Sequence, residues 1–152
     1  MNKLIITIGI SGSGKTTWAE TQTRNNPGTI VNVNRDDVRV SLYCDNDYSK
    51  YSEYKFSKES EKLVTKICED RIKLALSQGK TVIVSDTNIN PKVRDKFNQM
   101  AKYYDIEYQE KVFEVELEEC IRRQYLRKQQ IPTHVIVAQH NKMIEQGFYS
   151  TE

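Results

Sequence analysis

Eight residues near the amino terminus, Gly9-Ile10-Ser11-Gly12-Ser13-Gly14-Lys15-Thr16, satisfy the pattern G-x-x-x-x-G-K-[ST]. Their flanks are the ones such a loop needs. The β-branched run Lys3 to Ile8 reads as a buried strand stopped by Gly9, and Lys15 through Thr23 has the composition of a helix. A strand, a glycine-rich turn and a helix start aim backbone N–H groups at a phosphate, and the helix dipole adds partial positive charge. Gly12, Ser13 and Gly14 would form the cradle, Lys15 would reach the terminal phosphates, Thr16 would ligate magnesium, and Thr17 would join the nucleotide site. The expected ligands are ATP and Mg2+.

With 152 residues, 38% hydrophobic and 29% charged, the chain can bury a core without disulfides and is neither disordered nor membrane-embedded in composition. One domain over residues 1–152 is expected. Cys44, Cys68 and Cys120 are far apart and odd in number, which suggests neither a disulfide framework nor a zinc site. The opening MNKLIITIG is too short for a membrane span and has no cleavage region, so a cytoplasmic protein is expected, in the host cytoplasm if phage-encoded. His134 and His140, six apart, do not share a helical face for a metal. A net charge of +2 leaves any nucleic-acid partner to be read from local clusters.

Strands alternate with helices along the chain. A second strand, Thr29 to Val33, ends at Asn34-Arg35-Asp36-Asp37; a long amphipathic helix runs from Ser57 to Gln78 and stops at Gly79. Thr81 to Ser85 is a third strand, Asn90-Pro91 opens a helix to about Tyr103, and Ile106 to Val115 is a fourth strand. Glu116 to Lys128 and a segment from Pro132-Thr133 to about Gly147 read as the last two helices. The pattern implies an α/β fold of the P-loop NTPase, adenylate-kinase-like kind: a largely parallel sheet covered on both faces, with a helical lid.

Three constellations belong at the carboxyl edge of that sheet, where ligands bind in open α/β folds. Asp36 and Arg39 offer a carboxylate to take a hydroxyl proton and a cation to neutralise a transferred phosphoryl group, although Asp36 or Asp37 would also serve as a helix cap. Asp86, before Thr87 and Asn88, suits a magnesium-side carboxylate, an ion-pair partner for Arg39, or a cap. Arg122, Arg123, Arg127 and Lys128 form a late basic cluster in which Arg123 and Arg127, four apart, fit either a lid over ATP or a solvated helix end. Tyr43, Tyr48, Tyr51, Tyr54 and Phe56, mixed with lysines, fit either stacking platforms for a single strand or partly buried core.

Taken in order, GISGSGKTTWAE, NVNRDDVR, YKFSKE, VIVSDTNINP and VFEVELEECIRRQYLRKQQIP resemble the kinase domain of phage (T-even type) polynucleotide kinase-phosphatases over nearly the whole chain. The resemblance implies that Lys15 and Thr16 hold ATP and magnesium, that Asp36 is general base for a 5′-hydroxyl, and that Arg39 touches the scissile phosphate. It further implies that Asp86 supports Arg39, that Arg35, Thr87 and Asn88 lie along the nucleic-acid strand, that Arg127 with Arg123 is the lid arginine, and that Ile131 packs on a substrate base. The chain departs from that pattern at Ser11, where the phage domain has proline, at Thr16 in place of serine, and by one residue fewer before Pro132. It has nothing like the DxDGT motif of the phosphatase domain, so 3′-phosphatase activity is not expected.

The resulting expectation is an ATP-dependent polynucleotide 5′-hydroxyl kinase acting on DNA or RNA ends. Its rivals are a P-loop kinase for a small hydroxyl acceptor, such as a nucleoside or antibiotic, and a nucleotide-gated binding module.

Overall fold

In the computed structural model, which describes residues 2–127 and 131–149, four strands form an entirely parallel sheet in the order β2-β3-β1-β4. β1 is Lys3–Ile8, β2 Ile30–Val33, β3 Thr81–Val84 and β4 Glu107–Val112. The helices are α1 Lys15–Asn25, α2 Arg35–Tyr43, α3 Lys58–Ser77, α4 Pro91–Tyr103, α5 Leu117–Gln124 and α6 Thr133–Glu145, with a short 3₁₀ turn at Tyr48–Glu53.

Strand register sorts the side chains by face. Leu4 is level with Val82 and Tyr108, and Ile6 with Val84, so these point the same way. They enter the main core with Ile72 and Leu76 of α3, Phe97 and Met100 of α4, and Ile136 and Met143 of α6. Ile83 and Ala19 are fully buried outside that cluster, on the opposite face, where α1 packs along β2. The sheet is thus covered on both sides, but unequally.

Local chemistry sets the helix starts. Asn34 caps α2 by accepting from the Asp37 N–H at 2.7 Å; α3 carries a capping box between Ser57 and Ser60; Asn90 caps α4, with Pro91 at its first position. The cap of α2 is therefore Asn34, and neither Asp36 nor Asp37 fills that role. α5 ends at Gln124, four residues before the expected Lys128, which lies outside the described residues. No helix among the described residues is long and apolar enough to cross a membrane.

Candidate active site

The loop between β1 and α1 is a cradle for an anion. Gly12 and Gly14 have φ of +85° and +96°, a left-handed conformation that costs glycine nothing. At Gly12 space forbids a side chain as well, since a Cβ would sit 2.8 Å from the Cys120 carbonyl of α5. The first turn of α1 has no side-chain cap and no acidic residue, leaving its N–H groups and positive end for a ligand. Lys15 is buried, with Nζ donating to the Ile10 carbonyl at 2.8 Å. Burial, followed by the nearby Arg127 charge, lowers its pKa to about 8. A buried cation with so few partners is arranged for a phosphate.

The loop is braced from two sides. The Gly9 N–H donates to the Thr87 carbonyl at 3.1 Å, and the Asn88 side-chain amide donates to the carbonyls of Thr7, Val84 and Asp86. The Ser11 N–H donates to Gln139 Oε1 of α6 at 2.8 Å, a bond that proline at this position would not make. Asn88, expected along a bound strand, is buried and spends its amide donors on those three carbonyls, which brace the loop.

Two cavities meet at Lys15 and Thr16. One, of about 780 Å³, runs from Gly12 to Trp18 and is closed by Phe113, Arg123 and Arg127. The Arg123 guanidinium is set by Glu119 and donates to the Gly12 carbonyl at 3.0 Å. Arg127 lies beyond the end of α5, so the two arginines do not share a helical face as their spacing suggested; they line the same cavity nonetheless. The second cavity, about 290 Å³, holds Asp36, Arg39, Arg35, Asp86 and Thr87, with Arg127 and Ile131 on its far wall. Arg127 is common to both.

The two aspartates of α2 have separate environments. Asp37 turns to Asn34 and the Tyr48 hydroxyl, outside the cavity lining. Asp36 lines the second cavity and accepts from the Tyr51 hydroxyl at 2.7 Å and from Arg39 Nη1 at 2.9 Å. Arg39 is held from its other side by Glu61 of α3, with Nε at 3.0 Å and Nη2 at 2.6 Å from the two carboxylate oxygens. The same Glu61 accepts from Arg35 Nη2 at 3.0 Å, and Thr65 accepts from Arg35 Nη1 at 2.9 Å. Burial opposes charge on Glu61, but hydrogen bonds from Arg39, Tyr54 and Arg35 outweigh it and hold the carboxyl at about 2.

Glu61 was not anticipated. Asp86, expected as a magnesium-side carboxylate, a partner of Arg39 or a helix cap, accepts from the Arg35 backbone N–H at the start of α2 at 2.8 Å, and no direct bond or ion pair to Arg39 occurs among the described residues. Burial raises the Asp86 pKa to about 6. The aromatic segment divides: Tyr51 and Tyr54 are core, in a satellite cluster with Val40 and Cys44, whereas Phe56 is exposed and lies 4.9 Å from the Arg39 guanidinium at the cavity mouth.

Glu61→Gln is expected to loosen both arginines and to lower stability by about 2–3 kcal/mol at neutral pH, since one partner leaves a largely enclosed ion cluster. Its folded pKa lies below the unfolded value, so this stabilisation is complete above about pH 4.5 and is lost as pH falls toward 2. Denaturant titrations of variant and wild type should therefore converge in acid; a constant gap would remove Glu61 from the linkage.

The chain matches the AAA_33 family, described as an AAA domain, over residues 4–147. It is 33% identical over 150 residues to a putative bifunctional polynucleotide kinase/RNA ligase of Autographa californica nuclear polyhedrosis virus, covering 94% of this chain but 21% of that protein. Two chains of Pnkp1/Rnl/Hen1 complexes superpose with TM-scores of 0.80 and 0.67 at 25% and 30% identity, over 99% and 80% of this chain and 47% and 38% of theirs. The chain thus spans about a fifth of the viral relative and less than half of each of those two chains. A gluconokinase from Sinorhizobium meliloti 1021, at 18% identity and a TM-score of 0.61, covers 92% of this chain and 74% of its own and shares the fold alone. With the loop, the parallel sheet and the match along nearly its full length, the chain belongs to the AAA_33 family and has the fold of P-loop kinases.

Proposed function

We propose that residues 1–152 form one ATP-dependent polynucleotide 5′-hydroxyl kinase domain acting on DNA or RNA ends in a repair setting. The observation that carries this reading is the junction of the two cavities, where Asp36 and Arg39 line one cavity together with Lys15 and Thr16, and Lys15, Thr16 and Arg127 line both.

The P-loop amides, Lys15 and Thr17 hold the donor phosphates in the larger cavity, with Arg123 beside them. Thr16 offers a hydroxyl to magnesium, and no group of three or more His, Cys, Asp or Glu able to hold a metal occurs among the described residues. That suits an ion bound mainly through phosphates and water. Magnesium, when bound, neutralises charge on the β and γ oxygens. Asp36 takes the proton of the 5′-hydroxyl as that oxygen bonds to the γ-phosphorus, and the bond from phosphorus to the bridging oxygen breaks to release ADP. Arg39 and Arg127 neutralise the transferred group, and Asp86 would serve as a carboxylate on the magnesium side. Arg35 and Thr87 meet the first internucleotide phosphate, and Ile131 packs on the terminal base. Three cysteines, all free thiols, suit a reducing cytoplasm.

The acceptor cavity favours a polynucleotide over a small neutral alcohol because its lining carries four cations, Lys15, Arg35, Arg39 and Arg127, against two carboxylates, Asp36 and Asp86. A positive charge remains in excess even with Glu61, which pairs with Arg35 and Arg39, counted as a third carboxylate. An oligonucleotide acceptor should therefore lose apparent affinity with rising potassium chloride at fixed magnesium, with a logarithmic slope of roughly 0.7 per phosphate contact, and a matching nucleoside should not. Equal use of both acceptors with the same salt response would favour the small-hydroxyl kinase instead.

A further inference from the structure

Beyond the acceptor cavity lies a larger one that shares no lining residue with the P-loop cavity. It occupies about 710 Å³ between α3, α4 and α6, within the usual range for a small-molecule site. Its floor is apolar and buried: Ile72, Val84, Ile89 and Phe97. It adjoins the acceptor cavity, and Arg35, Asp86, Thr87 and Gln139 line both.

The charges of the two cavities differ in a way that tells what each accepts. The acceptor cavity has a cation excess, as described. The larger one is balanced, with Arg35, Lys96 and Lys142 against Glu69, Asp86 and Glu145, and Lys96 is itself paired with Glu69. A balanced rim over an apolar floor gives no net attraction for phosphate. It suits a flat, uncharged group with polar edges.

The geometry points to this cavity as a nucleobase subsite for a nucleotide downstream of the reacting 5′ end. The assignment rests on the polynucleotide kinase reading and specifies how the acceptor strand continues. The phosphate beside Arg35 and Thr87 sits at the passage between the cavities, so the base attached beyond it enters the larger one. There its faces contact the apolar floor, while Asn90 and Gln146, whose side-chain oxygens accept from the Lys92 N–H and Arg94, line the cavity with their amide N–H groups left for its polar edges. Contacts of this kind tolerate any base, because each base has an apolar face.

The test compares a 5′-hydroxyl trinucleotide with the matching nucleoside 3′-monophosphate, in wild type and in Val93→Trp. Val93 is half-buried on α4 and lines this cavity but neither the acceptor nor the P-loop cavity, so an indole there occupies part of the space over the apolar floor without touching the site of transfer. Wild type should use the trinucleotide with a KM about tenfold lower than the monophosphate. Val93→Trp should lose that advantage, with kcat at saturation and all parameters for the monophosphate unchanged.

A second arm needs no altered protein. Trinucleotides carrying an abasic residue at position two or three keep every phosphate; in wild type one of them should lose the same tenfold, and in Val93→Trp it should lose nothing further. An abasic series as good as the intact trinucleotide overturns the subsite even if the tryptophan variant fails to fold, and leaves the kinase reading standing. Transfer to neither acceptor by wild type overturns the kinase reading itself, and the subsite with it.

Discussion

Replacing Lys15 with Ala is expected to slow phosphoryl transfer by at least about 10³-fold, because the cation nearest the terminal phosphates acts in a site largely shielded from water. The fold should survive. Burying the ammonium is unfavourable, as its pKa of about 8 records, while the bond it makes to the Ile10 carbonyl is favourable. Removing both should leave the unfolding free energy at pH 7 within about 2 kcal/mol of wild type. The linkage has a definite sign. The folded pKa is below the unfolded value of 10.5, so between those two values the unfolded chain binds more protons, and nucleotide-free wild type gains stability as pH rises from about 8 to 10.5. The Lys15→Ala protein should lack that rise. Donor phosphates reverse the deprotonation by adding negative charge beside the ammonium. ATP binding above pH 8 should therefore take up a proton, read by calorimetry in buffers of different ionisation heat. Wild-type turnover in the variant, or binding without proton uptake at pH 9, would remove Lys15 from the phosphate site.

Local features of the chain were legible because their causes are local. The glycine-rich loop, the strand limits and the helix starts at Ser57, Asn90 and Pro132 follow from residue type and period within a few positions, and the structure places each within about two residues except the end of the fourth strand, which stops at Val112, three short of Val115. Strand order and the braces of the site were not legible, because they join distant segments. Gln139 meets Ser11 across 128 positions, and Glu61 meets Arg39 across 22. In sequence Glu61 is one carboxylate among the charges of a helix start. A faint sign exists: Glu61, Thr65, Cys68 and Ile72 follow helical spacing, so the carboxylate lies in line with the buried stripe of α3 and not opposite it. Arg127 shows the converse. Helical spacing suggested a shared face with Arg123, yet the helix stops at Gln124 and the two reach one cavity by different routes.

Asp36→Asn should lower the transfer rate by about 10²- to 10⁴-fold while leaving ATP affinity unchanged, since the amide keeps the shape of the carboxylate but cannot take a proton at neutral pH. The structure makes this substitution clean to interpret. Asp36 lines the acceptor cavity and not the P-loop cavity, so the donor phosphates do not depend on it. Arg39 will not drift when one of its partners loses charge, because Glu61 holds it through two nitrogens at 3.0 and 2.6 Å, and the amide oxygen can still accept from Arg39 and Tyr51. What is lost is proton acceptance, and a further acceptor isolates that term. A 5′-thiol, whose ordinary pKa near 8.5 lets it ionise without much help, needs the base less than an alcohol does. The penalty of Asp36→Asn should thus be severalfold smaller on a 5′-thiol oligonucleotide than on the 5′-hydroxyl form, measured as single-turnover rates at saturating ATP. An equal penalty on both would assign Asp36 to positioning the acceptor, and a tenfold weaker ATP affinity with full turnover at saturation would move it to the donor site.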